Sequence, residues 1–288
     1  MSAQVTNIIL DLLIIGSATL AVLVSLIMIL IMLIHKSTIK RDRTAHLLCI
    51  NMYASLLIGC GMILIIYCYT LYGHIYINIS FDGPWCYAQA YLLYVSGCGF
   101  FYSYLLQAIY RLCRIVHYTK PSLQSFRLYV YGIIIQWILS FLQVIPVLLL
   151  RTFEYLSQDY HCQIAIYNVR GLIMGLSMVH MIPISLTTIC CIYTMMYIRR
   201  RSVIRKSIRQ QANDRRDFLV LKRIFILLSI LIASGMPTLG ISLFFQISGY
   251  LPLWSTQFQW LTATFSIFTV SVILIFVSPN IPKFWKRQ

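Results

Sequence analysis

Seven apolar stretches, separated by short polar segments, run along almost the whole chain. Most are nearly solid in apolar residues rather than strictly alternating, which is typical of helices and not of barrel strands. Each is long enough, as a helix, to cross roughly 30 Å of hydrocarbon. The pattern predicts an all-α membrane protein, a seven-transmembrane helix bundle that forms a single domain over residues 1–288. The spans are predicted at about 8–34, 45–71, 86–110, 128–150, 171–198, 224–247 and 257–277.

The first stretch has to be distinguished from a cleaved signal peptide. No basic residue precedes it, and it is longer than the apolar core of a signal peptide. We therefore expect it to be retained as the first span.

The composition agrees with a membrane protein and argues against an enzyme. Hydrophobic residues make up 60% of the chain and charged residues only 10%, and the mean hydropathy is +0.81. A soluble domain would carry about 25% charged residues. The spans contain no Cys/His cluster with metal-ligand spacing, no paired carboxylates and no glycine-rich phosphate loop. We expect no enzymatic activity, no cofactor and no metal site.

The positive charges predict the orientation of the bundle. All 23 lysines and arginines except Arg151 and Arg170 fall in alternate connections or in the C-terminal segment. By the positive-inside rule this side is cytoplasmic, so the amino terminus is extracellular and the carboxyl terminus cytoplasmic. The net charge of +16 then needs no nucleic acid to explain it. The most basic segment is 197–218. Its positive charge is explained by topology alone, by contact with anionic lipid, or by docking of a cytosolic partner.

Two cysteines and one glycosylation motif map to the predicted extracellular side. An oxidising exterior permits a disulfide between Cys86 and Cys162, which would tie the fourth connection across the mouth of the bundle. Asn78, followed by Ile79 and Ser80, fits a glycosylation sequon. The motif is also common by chance, so its occupancy stays open.

Several rare residues stand at fixed distances along the seven stretches. Trp85 and Cys86 open the third stretch, Cys162 lies alone before the fifth, and Arg111 follows Cys86 by 25 positions. Over the whole chain, this arrangement resembles the rhodopsin-like (class A) G-protein-coupled receptors. The resemblance implies a plasma-membrane receptor that signals to a heterotrimeric G protein through outward movement of the inner end of the sixth helix.

Further residues resemble the packing and kink positions of that family. Trp137 resembles its fourth-span tryptophan, and Asn51 resembles an asparagine that hydrogen-bonds to this tryptophan in relatives. Three prolines resemble those of the fifth, sixth and seventh spans: Pro183, Pro237 and Pro279. A proline inside a helix removes a backbone hydrogen bond and bends the helix, and such a bend is either fixed or acts as a hinge.

The chain departs from the family at positions that relay activation. Tyr110 and Leu112 replace the acid and the tyrosine that flank the family's third-span arginine. Leu56 replaces the aspartate that holds sodium, so no sodium pocket is expected. Gly235 stands in place of the sixth-span tryptophan, and Pro282 in place of the seventh-span tyrosine. These departures indicate a divergent receptor of orphan or chemosensory type.

Arg111 allows two interpretations. An arginine at a helix end can simply extend to the lipid headgroups. Alternatively, Arg111 pairs in the resting state with Asp217, which lies where relatives carry an acid at the inner end of the sixth span; Asp214 is a nearby competitor. Arg111, Tyr110 and Asp217 are therefore our candidates for the activation switch.

The resemblance also implies an extracellular ligand pocket between the third, fifth, sixth and seventh spans. Leu93 stands where amine receptors carry an aspartate, which argues against an amine. No lysine lies in the seventh span before Lys283, which argues against retinal. Ordinary helix packing is the alternative role for every pocket candidate. They are Gln89, Leu93, Tyr94, Thr238, Ser242 and Phe268.

Seven spans do not by themselves distinguish a receptor from a transporter or channel. Transporters usually keep ionisable residues at mid-membrane and often show paired halves, neither of which the sequence displays. We therefore take the receptor as the main hypothesis, with the bilayer, a G protein and an extracellular ligand as partners.

Overall fold

The computed structural model describes residues 3–34, 43–76, 79–202 and 208–277. Within these ranges only the backbone is described at residues 3, 121, 201–202, 208–224, 234 and 276–277. Helices dominate the described part, with a 3-10 turn at Pro121–Gln124 and a π-helical turn at Leu176–Met181. The α-helices are α1 (Ala3–Ile34), α2 (Arg43–Ile75), α3 (Pro84–Val116), α4 (Phe126–Leu149), α5 (Val169–Gly175), α6 (Ile182–Ser202), α7 (Ile208–Ser248) and α8 (Ser255–Val277).

Among the described residues, seven helical segments are long and apolar enough to cross a membrane, as predicted. The fifth of them consists of α5, the π-helical turn and α6 together. The chain is thus a multi-pass membrane protein. Two helices extend well beyond the predicted spans, since α3 continues to Val116 and α7 begins at Ile208. An apolar pattern marks only the part of a helix that lies in hydrocarbon, so it misses a polar extension.

A β-hairpin between α4 and α5 was not predicted. Its strands, β1 (Phe153–Leu156) and β2 (His161–Ile164), pair antiparallel with Phe153 opposite Ile164. The disulfide between Cys86 and Cys162 joins β2 to the first turn of α3, with 5.4 Å between the Cα atoms. All four residues of β2 are buried. We call this end of the bundle the hairpin end, and the opposite end, where Arg111 lies, the arginine end.

Helix α3 occupies the centre of the bundle. It packs against α2, α4, α6 and α7, whereas α1 packs against α2 and α8. Small or closely fitted side chains, such as Ala90, Cys98 and Ala108, are fully enclosed along α3. Large apolar side chains of α1, including Leu12 and Ile27, face outward. That distribution fits a bundle whose outer surface is solvated by lipid.

Two of the prolines predicted to bend helices, Pro183 and Pro237, lie inside helices. Pro237 lies within α7, and Pro183 is the second residue of α6, one residue beyond the π-helical turn. In that turn the backbone N–H of Ile182 bonds to the carbonyl of Ser177, five residues earlier. This shift in the helical hydrogen bonds comes just before Pro183, which has no backbone N–H to donate. A further proline, Pro146, lies inside α4.

Candidate functional site

The guanidinium of Arg111 is enclosed by the protein. Its side chain is only 5% exposed, and its Cζ atom lies 5.7 Å from the centroid of the Tyr110 ring. Tyr110 is itself fixed by an edge-on contact with Tyr129, with 5.1 Å between the ring centroids. A side chain extended to the headgroups would be exposed, so the structure disfavours that interpretation. Where the resembling family has a carboxylate beside the arginine, this chain offers an aromatic face, a weaker but still favourable partner for a cation.

Some predicted residues fall outside the part that the structure describes. Asp217 lies on α7, but its side chain, like that of Asp214, is among those not described. Asn78 and Pro279 lie outside the described residues altogether. The Arg111–Asp217 pair, the seventh-span proline and the glycosylation site therefore stay predictions.

A buried polar network joins α2, α3 and α4 in the middle of the bundle. The indole Nε1 of Trp137 donates to Asn51 Oδ1 at 3.3 Å, the contact that the family resemblance implies. Asn51 Nδ2 donates in turn to Gln136 Oε1 at 2.9 Å and to Ser103 Oγ at 3.0 Å. The ring of Trp137 packs against Gly99, where an added Cβ would lie 3.2 Å from the ring. Buried amide and hydroxyl groups that satisfy one another fix how three helices meet.

Gln136 is one member of this network that the sequence did not reveal. Its Nε2 donates to the carbonyl of Gly99 at 2.7 Å and to Ser103 Oγ at 2.8 Å. Its oxygen accepts from Asn51, so both ends of the amide are used. The position of a single glutamine in an apolar stretch does not indicate which residues it contacts.

Replacing Gln136 with leucine should destabilise the protein by about 1–2 kcal/mol, the upper range for hydrogen bonds between membrane helices. The leucine would remove one hydrogen bond from the amide of Asn51 and one from the carbonyl of Gly99. Thermal unfolding of the purified protein in detergent would measure the loss. Gln246→Leu is the control, because Gln246 is exposed on α7. Equal unfolding temperatures for the two variants would contradict the importance of the network.

The predicted pocket residues divide into two groups. On α3, Gln89 and Leu93 are buried, and Tyr94 packs edge-on against Phe153 of the hairpin at 5.3 Å. Those on α7 and α8 are Thr238 and Ser242, which are buried, and the half-buried Phe268. Ser242 Oγ donates to the carbonyl of Ile166 at 3.5 Å. Within the described part of the chain, no hydrogen bond or ring contact links the α3 group to the other group.

Ionisable side chains gather instead between α1, α2 and the hairpin. Asp11, which is 0% exposed, contacts His74 at 2.5 Å between Oδ2 and Nδ1. The Nε2 of His74 donates to the carbonyl of Gln158 in the hairpin turn at 3.1 Å. This pair links the first two helices to the hairpin. The sequence did not identify Asp11 and His74 as partners.

Two residues of the hairpin segment, Asp159 and His161, are buried more deeply than residues in a loop usually are. Asp159 is only 6% exposed, and His161 is buried beside it. Gln257 at the start of α8 donates from Nε2 to Asp159 Oδ1 at 2.6 Å. Nδ1 of His161 donates to the carbonyl of Asp159 at 2.8 Å. The disulfide, the strand pairing and the hydrogen bond from Gln257 hold this segment against the bundle.

Glu154 organises the outer side of the hairpin. Its carboxylate accepts from the hydroxyl of Tyr167 at 2.6 Å and from Asn168 Nδ2 at 2.8 Å. The hydrogen bond to Glu154, together with partial burial, raises the pKa of Tyr167 to about 12. Asn168 also caps α5, because its Oδ1 accepts from the backbone N–H of Gly171 at 3.0 Å. The hairpin and the start of the fifth span are thus held together by side chains.

In the described part of the chain, no three His, Cys, Asp or Glu side chains are placed to hold a metal ion. Comparison with known protein families finds no match for the chain, and comparison with characterised proteins finds none either. What the molecule does therefore has to be inferred from its own residues and their geometry.

Proposed function

We propose that this membrane protein is a G-protein-coupled receptor of the plasma membrane, with the hairpin end extracellular and the arginine end cytoplasmic. One observation carries the proposal. The single helix α3 connects the disulfide at Cys86, which holds the hairpin, to the enclosed cation of Arg111. At a rise of about 1.5 Å per residue, these 25 positions cover about 38 Å, so one rigid element reaches from one membrane surface to the other.

The enclosed arginine supports a two-state mechanism. A guanidinium enclosed beside Tyr110 is costly to bury unless other groups of the protein pair with it. In the resting state the sixth span covers Arg111, with Asp217 of α7 as its proposed acidic partner. In the signalling state the inner end of α7 moves outward and Arg111 faces the G protein. An extracellular ligand shifts the populations by the difference in its affinity for the two states.

The buried ionisable pair supports a receptor rather than a transporter or channel. His74 lies one residue before the last residue of α2, so Asp11 and His74 meet at the hairpin end and not at mid-membrane. Transporters bind their substrates and coupling ions near the bilayer midplane. A pair at one surface is better placed to hold a loop or contact a ligand.

The proposal predicts that Arg111→Ala abolishes G-protein coupling. Nucleotide exchange would be measured on a panel of purified Gα subunits with the receptor in nanodiscs, without added ligand. We expect basal exchange on at least one Gα for the wild type and none above background for Arg111→Ala at equal receptor concentration. The substitution removes the cation that, in this proposal, faces the G protein in the signalling state.

Arg127→Ala is the matched control, because Arg127 is exposed at the start of α4 on the same end of the bundle. Exchange should be unchanged in this variant. Equal exchange in the wild type and Arg111→Ala would refute the proposed role of Arg111. Exchange on no member of the panel would favour the transporter or channel, which a substrate-flux assay would then test.

A further inference from the structure

The short connection between α7 and α8, residues 249–254, presents apolar and aromatic side chains on its surface. The side chain of Tyr250 is 63% exposed, and those of Leu253 and Trp254 are exposed as well. Proteins rarely leave large apolar side chains gathered in water, and where they do, the surface usually contacts a membrane or another protein. The connection is therefore a candidate contact surface at the hairpin end.

The outward-facing row of α7 continues into this connection without a break. Leu239, Leu243 and Ile247 follow one another at intervals of four positions, so they lie on one face of the helix. All three are exposed, and Ile247, which precedes the last residue of α7, is 87% exposed. In a multi-pass membrane protein such a face is solvated by lipid. The apolar surface of α7 thus extends to the end of the helix, where the connection begins.

The connection also lacks charge, unlike the other two at the hairpin end. Residues 224–282, which include it, contain no Asp, Glu, Lys, Arg or His. The connection before α3 carries Asp82, and the one between α4 and α5 carries Arg151 and Glu154. Charged side chains are costly to transfer into lipid, whereas Trp and Tyr are enriched where lipid meets water. The residues of 249–254 are therefore suited to that boundary.

Two serines pair polar backbone groups at the two ends of the connection. Oγ of Ser248 accepts from the backbone N–H of Tyr250 at 3.2 Å and donates to the carbonyl of Phe244 at 2.8 Å. Oγ of Ser255 donates to the carbonyl of Pro252 at 2.6 Å. An unpaired backbone group costs several kcal/mol away from water, so pairing within the chain lowers the cost of leaving water.

We propose that the connection 249–254 is inserted into the interfacial layer of the bilayer, with Tyr250, Leu253 and Trp254 among the lipids. The partner is the bilayer rather than a protein, because the connection continues the surface that α7 presents to lipid. The ring of Trp254 packs edge-on against Phe258 of α8 at 5.7 Å between centroids, which ties the connection to the start of that span. Insertion does not depend on the proposed receptor function; only the naming of this leaflet as the outer one rests on the proposed orientation.

Spin-label accessibility in nanodiscs tests the insertion. A nitroxide is attached to Leu253→Cys in a Cys68→Ser background, which removes an exposed native cysteine. Collisions with oxygen, which concentrates in hydrocarbon, are compared with collisions with a water-soluble nickel chelate, and the signal of the background protein is subtracted. We expect oxygen collisions to dominate, because an inserted apolar surface lies about 5–10 Å into the boundary between headgroups and acyl chains.

Two matched positions calibrate the result. Leu243→Cys reports the lipid-facing side of α7, and Ser157→Cys reports an exposed position in the turn of the hairpin. The nickel chelate should collide with a label at Leu253 severalfold less often than with one at Ser157. Equal nickel collisions at these two positions would overturn the proposal. A label at Leu253 that is shielded from both oxygen and nickel would also overturn it, because a protein surface would then cover the connection.

The fluorescence of Trp254 provides a second measurement that needs no label. Its emission is the difference between the wild type and Trp254→Phe in the same nanodiscs. Lipids with bromine near the headgroup end of the acyl chains should quench this emission, and iodide in the water should not. Quenching by iodide without quenching by the brominated lipids would refute the insertion, even if Leu253→Cys does not fold.

Neither measurement uses a G protein, so the two proposals can fail separately. Insertion in a protein that never promotes nucleotide exchange would refute the receptor function and support the inserted connection. Nucleotide exchange in a protein whose label at Leu253 behaves like the label at Ser157 would refute the insertion and support the receptor function.

Discussion

Cys86→Ser should lower the free energy of unfolding by about 4 kcal/mol, and Cys162→Ser should do the same. The disulfide closes a loop over a sequence separation of 76 residues, and a cross-link of that length removes much of the conformational entropy of the unfolded chain. Denaturant unfolding of the purified protein in detergent would measure the loss. Reduction of the wild type with a thiol should produce the same change, because it breaks the same bond.

Cys68→Ser is the matched control for these variants. Cys68 is a free and exposed cysteine on α2, so its replacement should leave the free energy of unfolding nearly unchanged. Hydrogen exchange supplies a second measurement, since amides of β2 should lose protection when Cys162 no longer holds the strand against α3. A Cys86→Ser protein as stable as Cys68→Ser would show that the buried strand holds its place without the disulfide.

The helices could be predicted from the sequence, whereas the hairpin could not. A membrane span must satisfy its backbone within itself, so a long apolar stretch is almost always a helix. The strands Phe153–Leu156 and His161–Ile164 are only four residues each and contain Glu154, His161 and Gln163. Their pairing depends on tertiary burial and on the Cys86–Cys162 bond, which local sequence preferences do not encode.

The same distinction applies to the candidate sites. Arg111, Cys86 and Trp137 were recognisable because rare residues stand at fixed distances along the chain. Gln136 and Asp159 were not, since a glutamine in an apolar stretch and an acid in a loop are common and their partners come from other helices. When polar side chains from different helices contact one another, the sequence of each single helix shows no periodic pattern that reveals the contact.

Asp11→Ala should destabilise the protein by about 3–5 kcal/mol, the range for removing one partner of a buried ion pair. The carboxylate is fully enclosed, and His74 is buried and fixed to the hairpin turn through the carbonyl of Gln158. Without Asp11, Nδ1 of His74 loses its partner in a place that water does not reach. Thermal and denaturant unfolding in detergent would measure the effect, with Asp82→Ala as the exposed control.

A double-mutant cycle separates the interaction between Asp11 and His74 from the contribution that each residue makes alone. Once Asp11 is gone, His74→Ala removes a group that is already unsatisfied, so the double variant should be more stable than the sum of the single losses indicates. We expect an interaction free energy of about 1–3 kcal/mol between the two positions. Strictly additive losses would mean that Asp11 and His74 act on stability independently. The link that the 2.5 Å contact makes from α1 through α2 to the hairpin would then contribute nothing of its own.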